Sequence, residues 1–182
     1  MTDLFCALRC RMDQEGLPFP LEDSFGYLRQ IGRAVVHLHE HGFAHRDLKL
    51  ENCILFSHGR VKLCDFGLSD RLCANSCESV GSYAYVAPEV LSGFVVDWEK
   101  CDAWCFGICA VTLAMGGIAF SQASRRDVAF RAFSSSSVSF SELFSCHLPM
   151  STTLKALIDS TVVIDSNTRQ TVLDSMTAVG LA

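Results

Sequence analysis

Charge is scarce in this 182-residue sequence: Asp, Glu, Lys and Arg together make up 19%, with 15 basic against 20 acidic side chains, where an average soluble chain carries roughly 25%. The shortage argues against three whole-chain readings. A disordered linker needs high charge and low hydrophobicity, a nucleic-acid binder needs a basic excess, and an acidic tail needs a run of carboxylates. Hydrophobic residues reach 49% instead, which suits one compact, packed domain.

Cysteine is present but not in the patterns that make cross-links. Ten cysteines in 182 residues fall short of the roughly 8–10% that marks a disulfide scaffold. The opening MTDLFCALRC has no signal-peptide pattern, so a reducing, intracellular compartment, cytoplasmic or nuclear, is expected. No C-x-x-C pair exists, which argues against zinc knuckles; Cys6/Cys10, Cys73/Cys77 and Cys101/Cys105/Cys109 are spaced by four, a helical interval that predicts small core residues. No internal repeat is present, and the only low-complexity run, the serines at 134–137, reads as a solvated loop.

Long apolar runs are also few. Residues 103–120 (AWCFGICAVTLAMGGIAF) are uncharged over 18 positions, the lower edge of what spans a bilayer. A helix enclosed on every side by a globular core has the same pattern. Elsewhere the periodicity is clearer. Glu22, Asp23 and Ser24 predict an acidic, capped helix start, after which Leu28, Ile31, Val35 and Leu38 recur at intervals of three and four until Gly42. The runs 53–56 and 61–64 flank Ser57-His58-Gly59-Arg60 and predict a hairpin. His37, His39 and His41 scatter around the helix axis at their spacing of two, with no facing ligands apparent, so a metal site is not expected there.

Between helix and hairpin lies HRDLKLEN at 45–52, followed by DFG at 65–67 and APE at 87–89. In this order the chain resembles the protein kinases: helix, catalytic loop, hairpin, DFG, a span of 25 residues counted from Asp65 through Glu89, then APE. Downstream, DAWCFGI at 102–108 is similar to the start of the family's central buried helix, which favours the core reading of 103–120 over a membrane span. IDSNTR at 164–169 resembles the stretch whose arginine pairs with the APE glutamate, here Arg169 with Glu89.

The resemblance implies an α+β, mainly α fold over residues 1–182: the large helical lobe of a serine/threonine protein kinase with a short β-hairpin, nearest in motif style to the calmodulin-dependent group. The small N-terminal lobe is expected to be absent, because MTDLF resembles the sequence just after the hinge and no G-x-G-x-x-G loop, strand lysine or paired helix glutamate occurs. The implied reaction is transfer of the ATP γ-phosphoryl group, with Mg2+, to Ser or Thr hydroxyls of a protein substrate once a small lobe completes the site. Negligible activity is expected of the chain alone. The alternatives are a catalytically inactive module that binds a substrate or partner kinase, and a fragment anchored through 103–120. A regulatory kinase is a possible partner; nucleic acid and membrane are not expected.

Residue roles carry over one by one. Asp47 would orient the acceptor hydroxyl and Lys49 would place an ammonium near the transferred group, while Asn52 and Asp65 would hold magnesium against the phosphates. A lysine at Lys49 and a small hydroxyl residue at Ser82 go with serine/threonine acceptors in this family. Leu4 and Ile54 would lie beneath the adenine or the missing lobe, facing water in this chain. His45 would pack on Phe66 of DFG, with Gly67 completing the turn, rather than serve as a base. Asp102 opens the buried-helix motif. Arg46 would meet Glu78, a standing carboxylate where the family often carries a phosphate, with Ser76 or Ser79 as modification sites. Asp3 and Glu51 would favour basic residues ahead of the acceptor, although Thr112 stands where a third carboxylate is expected.

Overall fold

The computed structural model describes residues 2–73, 81–93, 97–144 and 151–182. Strand β1 (Thr2–Asp3) runs straight into α1 (Leu4–Glu15), because Asp3 caps the helix by accepting from the Cys6 N–H at 2.7 Å. Gly16, in the left-handed region at φ +68°, ends it. Helix α2 (Leu21–Glu40) follows. It begins at Pro20 with no side-chain cap; Ser24, expected as a cap, lies buried inside the helix, and Glu22 and Asp23 instead face the helix's positive end.

The expected hairpin forms from β3 (Cys53–Leu55) and β4 (Val61–Leu63), with Cys53 opposite Leu63, and a short 3-10 turn at Ser57–Gly59. Gln30 on α2 pins it: its amide donates to the Gly59 carbonyl and its oxygen accepts from the Val61 N–H, both at 2.9 Å. β1 adds to the other edge of β3, giving the order β1-β3-β4, a partner too short to be read from the sequence. A second ribbon joins β2 (Phe43–Ala44) to β5 (Asp70–Arg71).

Helices α3 (Pro88–Leu91) and α4 (Trp98–Met115) come next, then α5 (Val128–Ser134), α6 (Phe140–Leu143), α7 (Thr152–Thr161) and α8 (Val172–Ala178). α4 is the expected central helix. It is buried along nearly its whole length and packs on α2, α7 and α8. Gly107 lets α7 approach, since a Cβ there would collide with Thr161. Among the described residues no helix is long and apolar enough to cross a membrane. Phe120, Phe130, Phe133, Phe140 and Phe144 form one aromatic cluster beyond α4.

The cysteines divide. Cys101, Cys105 and Cys109 are buried as expected, but Cys6, Cys10 and Cys73 are exposed. On α1 the core face belongs to Leu4 and Leu8, and positions two residues away point to the opposite side. Cys73 lies just after β5, outside any helix.

Candidate active site

The site is held from below by one carboxylate. Asp102, fully buried in α4, accepts from the His45 N–H (2.8 Å) and the His39 imidazole (2.9 Å) through one oxygen, and from the Arg46 N–H (3.0 Å) through the other. Arg46 sits at φ +67°, a strained conformation for a residue with a side chain. The two amide bonds to a buried carboxylate hold it there. His39, which the sequence left without a ligand or partner, is the third donor, and Glu99 approaches its other ring nitrogen at 3.8 Å. Nothing local announces that pairing, because 63 positions separate His39 from Asp102.

On this support Asp47, Lys49 and Ser82 close a polar triangle. Lys49 Nζ donates to Asp47 Oδ2 (2.8 Å) and to Ser82 Oγ (2.7 Å), while Ser82 Oγ and the Ser82 N–H donate to Asp47 Oδ1 at 3.0 and 2.9 Å. Gly81 makes the close approach possible. Its φ is +99°, and a Cβ would fall 2.8 Å from the Arg46 carbonyl oxygen. Asn52 donates through Nδ2 to the Asp47 carbonyl (2.9 Å) and to Asp47 Oδ2 (3.1 Å), leaving its own amide oxygen as an acceptor.

Asp65 follows Cys64, whose N–H donates to the Asn52 carbonyl at 2.9 Å, so the hairpin brings Asp65 to the Asn52 side of the site. Asp65 has φ +60° and an exposed carboxylate that accepts from the Gly67 N–H at 3.4 Å. Among the described residues no group of three or more His, Cys, Asp or Glu side chains is placed to hold a metal. Two hard oxygen donors on Asn52 and Asp65 fit Mg2+, which keeps several waters and takes its remaining ligands from phosphate.

His45 is buried with both ring nitrogens engaged by backbone, Nε2 with the Cys64 carbonyl at 3.1 Å and Nδ1 with the Asp47 N–H at 3.3 Å; its ring packs on Phe66 at 5.2 Å between centroids. That leaves no free nitrogen for proton transfer. Farther down, the Arg169 guanidinium grips Glu89 through two hydrogen bonds of 2.6 and 3.2 Å.

One expectation changes, and the surroundings of three other residues add detail. Leu4 does not face water: as the first residue of α1 its side chain turns into the core and is fully buried, whereas Ile54 is half-buried. Arg46 pairs with Asp70, at 2.9 Å, while Glu78, Ser76 and Ser79 lie outside the described residues. Glu51 is only partly open, with its Oε2 buried and its carboxylate beside the Tyr85 phenol. The Tyr85 phenol is pushed up by burial and by nearby negative charge, the Glu51 carboxylate included. Asp3 spends one oxygen on its helix cap.

Residues 3–179 match the model of the protein kinase domain. The chain belongs to the protein kinase family. It is 42% identical over 102 residues to CBL-interacting serine/threonine-protein kinase 15 of Arabidopsis thaliana, covering 52% of this chain and 24% of the relative. It is 34% identical over 140 residues to the probable serine/threonine-protein kinase KKQ8 of Saccharomyces cerevisiae, 72% of this chain and 19% of the relative. Against serine/threonine-protein kinase kin-29 of Caenorhabditis briggsae the figures are 38% over 107 residues, 56% and 13%. The matched part thus spans a quarter or less of these relatives, and the kinase family they share is the serine/threonine one.

Proposed function

We propose that residues 1–182 are the large-lobe part of a serine/threonine protein kinase domain that transfers the ATP γ-phosphoryl group to Ser or Thr hydroxyls of a protein substrate. The observation that carries this reading is the triangle of Asp47, Lys49 and Ser82. Phosphoryl transfer asks a protein for an oriented hydroxyl and neutralised charge rather than covalent chemistry. Asp47 presents a carboxylate whose second oxygen is shared with Lys49, so an acceptor hydroxyl is oriented beside an ammonium. Asn52 and Asp65 would hold Mg2+, which when bound neutralises phosphate charge, and half-buried Ile54 would lie under the adenine, with Leu4 beneath it.

The chain requires a lobe bearing a glycine-rich loop and a Lys–Glu pair, which these 182 residues do not contain. Alone it works at a negligible rate, since losing about 4 kcal/mol of transition-state stabilisation costs roughly a thousandfold. Substrates carry basic residues ahead of the acceptor, met by the part of Glu51 that stays open and by the Asp3 carboxylate oxygen not spent on the helix cap. The location is intracellular, cytoplasmic or nuclear.

A second reading, an inactive module covered by a substrate or partner kinase, is favoured by one feature. Phe66 is 49% exposed at the edge of an apolar groove of about 360 Å³ lined by Ala34, His37, Leu38, Val61, Lys62, Leu63 and Phe66. The test is transfer of labelled phosphate from ATP to Ser, Thr and Tyr peptides, with and without an added small lobe. Label on Ser or Thr only, dependent on the lobe, supports the first reading. No label under any condition supports the second.

A further inference from the structure

Arg46 stands next to Asp47 and its charge is almost hidden: the side chain is 6% exposed and the guanidinium lies 4.2 Å over the Trp98 ring. A buried cation is costly without a counter-charge. The ion pair it makes among the described residues is with Asp70, whose Oδ2 accepts from Nη1 at 2.9 Å. Asp70 is not there by accident of a flexible tail. It opens β5, where it pairs with Ala44 immediately before the loop, its Oδ1 accepts from the Arg71 N–H at 2.8 Å, and the preceding Ser69 hydroxyl donates to the His45 carbonyl at 3.3 Å. The start of β5 is therefore bound to the catalytic loop through a strand pairing, a hydroxyl bond and an ion pair. Among the described residues the Arg46 Nε is buried without a partner, so they satisfy the guanidinium only in part.

We propose that Asp70 is the resident counter-ion of the catalytic loop, a positioning residue that fixes Arg46, and through it Asp47, by occupying the guanidinium edge that a phosphate would otherwise take. The inference deepens the kinase reading by stating how the loop is regulated: its order does not wait for an added phosphoryl group, because a carboxylate built into β5 already neutralises Arg46. A guanidinium edge is an efficient bidentate anion site. Removing the carboxylate exposes that site to phosphate, whereas a phosphate approaching the intact chain must displace Asp70.

The test uses the full chain without nucleotide or acceptor, so its outcome is independent of whether transfer occurs. Wild type, Asp70→Asn and Asp70→Glu are compared by amide hydrogen exchange at residues 45–47 and by thermal unfolding, in inorganic phosphate and in sodium chloride of equal ionic strength. In wild type, phosphate gives no more stabilisation than chloride. In Asp70→Asn the amides exchange roughly tenfold faster or more, the equivalent of ~1.4 kcal/mol, and phosphate restores protection. Asp70→Glu behaves as wild type. The proposal is overturned if phosphate stabilises wild type and Asp70→Asn alike, if exchange at 45–47 is unchanged in Asp70→Asn, or if phosphate fails to restore it. Should Asp70→Asn not fold, the wild-type arm still decides: specific stabilisation by phosphate there overturns the idea, and its absence together with wild-type behaviour of Asp70→Glu upholds it.

Discussion

Replacing Arg169 by alanine removes a fully buried guanidinium that donates to both Glu89 oxygens and to the carbonyls of Val163, Lys100 and Ile164, and that lies 5.0 Å from the centroid of the Trp104 ring. The loss leaves the Glu89 carboxylate without its cation and removes one donor from each of three carbonyls. Breaking one side of a buried pair costs about 3–5 kcal/mol, a large part of the roughly 5–15 kcal/mol that holds a domain folded. At roughly 2–4 °C per kcal/mol for a chain of this size, the midpoint falls by about 6–20 °C. Glu89→Gln retains an acceptor oxygen and most of the shape, so it costs less than Glu89→Ala. Arg169→Lys does not rescue, because an ammonium cannot make the two parallel bonds or reach the carbonyls together. Urea unfolding followed by far-UV circular dichroism measures the series. A loss under about 1 kcal/mol for Arg169→Ala, the range of an exposed pair, would refute the reasoning that this bridge joins α3 to the segment before α8.

Asp102→Asn leaves one of the His45 and Arg46 amides facing an NH2 group, so hydrogen exchange at those amides accelerates before global stability is lost, and unchanged exchange would contradict the anchoring role. Gly81→Ala combines a left-handed φ with a Cβ 2.8 Å from the Arg46 carbonyl oxygen, and strain of about 1–3 kcal/mol is expected, read from the urea midpoint. Burial pushes the thiols of Cys101, Cys105 and Cys109 well above the usual range, so at pH 8 iodoacetamide modifies Cys10 and Cys73 in the folded chain and those three only after unfolding, as peptide mapping shows. At Asp127 burial acts to raise the carboxyl, but the N–H groups of Phe130 and Ser121 and the Ser121 hydroxyl outweigh it and hold it below the ordinary value. Its stabilising contribution is therefore present above about pH 4 and is lost as pH falls through the lowered value, a slope that Asp127→Asn removes from an acid titration.

Local chemistry made much of the site legible in advance. The order of HRDLKLEN, DFG and APE singled out Asp47, Asn52, Asp65 and Glu89 through the family resemblance, and two short apolar runs around a turn gave the hairpin, because these signals reside within a few consecutive residues. What escaped depends on contacts across the chain. The pairing of Arg46 with Asp70 spans 24 positions and that of His39 with Asp102 spans 63, and neither residue type announces a distant partner. Leu4 misled for a related reason: exposure is set by which face of α1 meets the core, and a helix that begins directly after a two-residue strand offers no pattern long enough to fix that face. The same geometry put Cys6 and Cys10 on the solvent side.

The most direct test of the central claim is phosphoryl transfer by this chain joined to an ATP-covering lobe, comparing wild type with Asp47→Asn on a basic serine peptide. The account predicts transfer to serine and threonine but not tyrosine, with a loss of about 10²–10⁴-fold on removing the carboxylate and no change in folding midpoint large enough to explain it. Equal rates for the two proteins would contradict it.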